Sequence, residues 1–142
     1  MGAYTICEGL ITNLSSASVL GPRGISKDYS ILEQTQGPAA VIGWMGVAEV
    51  PTSFGNPSGK DVLYTFRVQV FIKDTGSASA MMDSAMTTID KILPSLMSDD
   101  TVQNTAVEIT AVRAARTPGE GAVIGGTNFL PFNMDIDILD WP

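Results

Sequence analysis

The 142-residue chain contains no histidine. That removes the one side chain whose ordinary pKa lies near neutrality, and with it catalytic triads, His-paired cysteines and most zinc sites. A single cysteine, Cys7, allows no intrachain disulfide. Basic residues are few, eight against fifteen acids, for a net charge of −7. The deficit is uneven: residues 1–70 hold five acids and four bases, residues 71–142 ten and four. Such a surface repels a phosphate backbone, so binding nucleic acid through counterion release is not expected. No apolar run approaches the roughly 20 residues that span a bilayer. The N-terminus lacks the basic-then-apolar order of a signal peptide, and Ile6 stands where a myristoylation signal needs Ser or Thr. The expectation is a chain made and kept in a cytoplasm-like setting, or in a particle assembled there, with no membrane partner.

Apolar residues make up 44 % of the chain, enough for one globular domain over residues 1–142. Cys7, Leu10, Ile11 and Leu14 recur at helical spacing, with Ala3 one turn earlier, and predict a helix over residues 3–16. Residues 20–37 read as an irregular connection in which Ile25, Tyr29 and Ile31 tuck inward. The apolar run from Ala39 to Met45 reads as a buried strand, with Trp44 in the core. Residues 46–61, with Pro51, Pro57 and three glycines, read as a long loop.

Val62, Tyr64, Phe66, Val68, Val70 and Ile72 then alternate with Leu63, Thr65, Arg67, Gln69, Phe71 and Lys73, the period of a long strand with one face in the core. Asp74-Thr75-Gly76 turns the chain and Ser77 is placed to cap a helix. Met82, Ala85, Met86, Ile89, Leu93 and Leu96 fall at helical spacing. Pro94 predicts a kink, or a helix that stops near Ile92 and restarts. At this spacing Met81, Met82, Met86 and Met97 read as core, and Cys7 as a buried, inert thiol.

A strand over 106–115 would set Val107, Ile109 and Ala111 on one face and Glu108, Thr110 and Val112 on the other. The Gly-rich stretch Thr117–Thr127 reads as a hairpin linker. It has no Gly-Lys-Ser/Thr ending and precedes a strand, so it is not a phosphate loop. The last strand, 128–140, points Leu130, Phe132, Met134, Ile136 and Ile138 one way and Asn133, Asp135 and Asp137 the other. Pro131 requires a missing neighbour or a bulge. The expected fold is α+β: a four-stranded, mainly antiparallel sheet, two helices on one face, and a long loop between the first two strands.

Asp135 and Asp137, with Asp140 near, lack the loop that a calcium site needs. They read as a sheet face paired across strands with Arg67, Lys73 or Arg113. Nothing else suggests an enzyme, a cofactor or a metal.

The order of elements, with FRVQVFIKD at residues 66–74, VEITAVR at 107–113 and GGTNFLPFNMDIDILDW at 125–141, resembles the tail terminator, or tail-completion, proteins of long-tailed bacteriophages and of phage-like particles such as gene transfer agents. The resemblance runs over nearly the whole chain. It implies a virion protein of the tail and neck, assembled in the host cytoplasm. Such proteins form a hexameric ring that caps the tail tube, stops its polymerisation and meets the head-neck connector. DNA passes only through a channel, which an acidic wall would suit. On that reading the assembly contacts fall on the loop residues Val50, Pro51, Phe54, Asn56 and Lys60, on the charges Arg67, Lys73, Asp135 and Asp137, and on Trp141. Another neck or head-closure ring protein, a monomeric adaptor that binds through loop 46–61, and a small hydrolase using Asp135 and Asp137 are the other readings.

Overall fold

The computed structural model describes residues 2–15, 25–27, 38–51, 60–74, 76–99, 101–103, 108–114, 121–124 and 127–140. In order these form α1 (Ala3–Ser15), β1 (Ile25–Ser26), β2 (Ala39–Pro51), β3 (Lys60–Lys73), α2 (Ala78–Met97), β4 (Glu108–Ala114), β5 (Ala122–Ile124) and β6 (Thr127–Asp140). The strands make one sheet, β1-β2-β3-β6-β4, with β5 also paired to β6. The α+β class stands, with two strands more than the four expected. Ile25 is buried as anticipated, but it belongs to a short strand parallel to β2, so the sheet is mixed. Tyr29 and Ile31 lie outside the described residues.

The alternation of β3 and β6 is realised as a register in which Phe66 faces Ile136, Val68 faces Met134 and Val70 faces Phe132. These six side chains are buried, and with Ile6, Leu10, Leu14, Ile92 and Leu96 they form one core under both helices. A smaller cluster of Ala39, Val41, Phe71 and Phe129 is buried on the opposite face at one end of the sheet, where Phe71 and Phe129 meet edge to face at 6.5 Å.

Several boundaries move. β2 does not end at Met45; it runs to Pro51 across a bulge at Met45, where Gly46 takes φ 155°. Its residues 46–51 pair with Lys60–Thr65, so these ends of the expected loop are strand, and residues 52–59 lie outside the described residues. α2 is one helix through Pro94, with no break near Ile92. Pro94 and Asp90 are both exposed, so water can serve the Asp90 carbonyl that Pro94 cannot. Ser77 caps α2 as predicted, its hydroxyl accepting from the Ala80 N–H at 3.3 Å.

In β4 a bulge at Thr110 breaks strict alternation. Ile109 and Val112 therefore share the helix-covered face, with Glu108, Ala111 and Arg113 opposite. β5 forms a hairpin with β6 inside the Gly-rich stretch. Pro131 sits where β6 has lost one neighbour: β5 pairs as far as Phe129 and β4 begins at Met134.

Candidate functional site

The polar face of the sheet is built by the odd-numbered residues of β6, which the pleat turns away from the helices. Asp135 lies opposite Arg67 on β3 and Arg113 on β4. It accepts two bonds from Arg67, from Nε at 2.8 Å and Nη2 at 3.2 Å. Asp137 accepts from Thr65 Oγ1 at 2.9 Å and from Arg113 Nη1 and Nη2 at 2.6 and 3.2 Å. The Arg113 bonds hold the Asp137 carboxyl below its ordinary value, Thr65 adds to this, and partial burial opposes it. Bonds to Asp135 and Asp137 push the Arg67 and Arg113 guanidiniums up.

The cross-strand pairing anticipated for the two aspartates is present with Arg67 and Arg113. Lys73 is different: it stands exposed opposite Phe129 and reaches neither aspartate. Held below its ordinary value, the Asp137 carboxylate is a poor proton donor or base near neutral pH. Among the described residues no group of three or more His, Cys, Asp or Glu could hold a metal ion. Burial raises the Cys7 thiol, the direction of an unreactive cysteine.

The remaining candidate contacts separate. Val50, Pro51 and Lys60 lie on paired strands rather than in a loop, with Val50 opposite Asp61 and Pro51 opposite Lys60. Phe54, Asn56 and Trp141 lie outside the described residues. The structure brings together Arg67 and Asp135, with Asp137 beside them, and among the described candidates joins none of the others to that group.

A different surface stands out. Trp44, read as core, is 57 % exposed, and Met45 and Val47 beside it are each 51 % exposed. Trp44 and Val47 occupy the helix side of β2, opposite Phe66 and Tyr64. The helices leave that part of the sheet uncovered, and the indole N–H is satisfied locally by the Gly46 carbonyl at 2.9 Å. Tyr4 on α1 is also exposed, with Lys27 Nζ 4.8 Å from its ring centroid. Between them lies an apolar groove of about 370 Å³, lined chiefly by Tyr4, Cys7, Lys27, Ile42, Trp44 and Phe66. On α2, Met86 and Met97 are half exposed rather than core, while Met81 and Met82 pack against the core as expected. The sequence signal for the Trp44 surface was the continuation of apolar residues beyond Gly46, which the glycine disguised as a loop.

In comparisons with known proteins, no family model matches the chain and no curated protein matches it.

Proposed function

We propose that this chain is a structural assembly subunit of the tail-terminator type. It forms a ring, of six copies on the family pattern, that caps a tail tube, halts its growth and meets the neck of the head. The observation that carries the reading is the long β2–β3 hairpin, whose Trp44, Met45 and Val47 stand exposed where the helical layer does not cover the sheet. Exposed apolar side chains gathered on one rigid element are the mark of a protein–protein surface. The charged residues that could have served chemistry are instead tied to one another across strands. The part of the sequence that carries the family resemblance is also the part that builds the central strands β3 and β6 and the edge strand β4. The tube protein and the neck connector are the proposed partners, and the acidic second half suits a wall past which DNA slides without sticking. The proposed place of action is the virion, after assembly in the host cytoplasm.

The test is the native mass of the purified chain by light scattering, alone and with tube protein, together with tube length by electron microscopy. A ring of about six copies and tubes of arrested length are expected. A monomer that leaves tube growth unchanged would favour the adaptor reading and overturn this one; a ring that leaves tubes growing would point to another neck component.

A further inference from the structure

We draw no further inference here: the strongest candidate, the exposed apolar surface of Trp44, Met45 and Val47 on β2 with the groove beside it, carries none, because nothing in the structure shows what covers it.

Discussion

Replacing Asn13 by Ala should destabilise the fold out of proportion to the size of the change. Asn13 is 4 % exposed, near the C-terminal end of α1. Its Nδ2 donates to the Asp99 carbonyl at 3.2 Å, and its Oδ1 accepts from Gln103 Nε2 at 2.6 Å. These bonds tie α1 to the turn that follows α2. In that turn Val102 and Gln103 adopt φ of 52° and 59°, left-handed values that cost non-glycine residues on the order of 1 kcal/mol each. The turn is held by the Asp99 carboxylate, which accepts from the Gln103 N–H and the Thr101 hydroxyl, each at 2.8 Å, and by the fully buried Val102 side chain.

Truncating Asn13 forfeits these hydrogen bonds at about 1 kcal/mol each, while the Asp99 carbonyl keeps the Val102 N–H at 3.2 Å, so a loss of about 2 kcal/mol is expected. In a chain of this length that is a fall in Tm of roughly 4–8 °C. Gln103→Ala removes one bond from an exposed side chain and should cost less than half as much. Urea unfolding followed by circular dichroism, with an unchanged m-value, measures both. The reasoning is refuted if Asn13→Ala stays within about 0.3 kcal/mol of the unmodified chain, or if Gln103→Ala costs as much as Asn13→Ala.

Three further outcomes follow from the same structure. Asp99 is held below its ordinary pKa, chiefly by the Gln103 N–H, and Asp137 chiefly by Arg113. A depressed folded pKa contributes stability that is complete above the unfolded carboxylate value of about 3.9 and fades as pH falls through the folded one. Urea midpoints should therefore drop below about pH 4, less steeply in Asp99→Asn and Asp137→Asn, and should stay flat from about pH 5.5 to 8 in a chain with no histidine. Ile136→Ala, at a fully buried position, should cost about 2–5 kcal/mol, whereas Trp44→Ala should cost the monomer less than about 1 kcal/mol and show itself in assembly. Replacing Asp135 and Asp137 together by Lys should lower the unfolding midpoint of the monomer itself, since Arg67 and Arg113 lose their partners; a midpoint equal to that of the unmodified chain would show the cross-strand pairs to be idle.

Where one physical cause decided the outcome, the sequence could be read. β3 and β6 each have one face under the helices, so burial imposes a strict two-residue period that the residues display. Ser77 announced the start of α2 because a hydroxyl can serve a free N–H wherever a helix begins. Elsewhere two causes competed. Gly46 looked like a strand's end, yet the ladder to β3 continues past it, and a bulge absorbs the odd residue. A bulge has no residue-level signature at Thr110 either, so the faces of β4 could not be assigned by counting. The apolar run around Trp44 suggested burial, but burial there depends on where the helices cease to cover the sheet, a tertiary fact. The pairing of β1 with β2 rests on two residues, too few to carry a period. Of the candidate contacts, Arg67, Asp135 and Asp137 were found as a group because cross-strand charges are read from alternation alone. The Trp44 surface was missed for want of that tertiary fact.

The fate of those charges bears on what could hold neighbouring copies together in the proposed ring. A contact set by Arg67 and Lys73 against Asp135 and Asp137 would be electrostatic, and added salt would dissolve it, because exposed charges are screened beyond about 8 Å at physiological ionic strength. In the fold, Arg67 and Asp135 already neutralise each other, and Arg113 occupies Asp137. To use them between copies, a partner would have to break pairs of good geometry and replace them with others no better. Trp44, Met45, Val47, Met86 and Tyr4, by contrast, are all at least half exposed and offer apolar surface. An interface made of these draws on burial of apolar area, which salt leaves intact or strengthens. The concentration at the midpoint of assembly should therefore hold steady or fall between about 50 mM and 1 M salt. A tenfold or greater rise over that range would mean that charge, not apolar surface, carries the contact between copies.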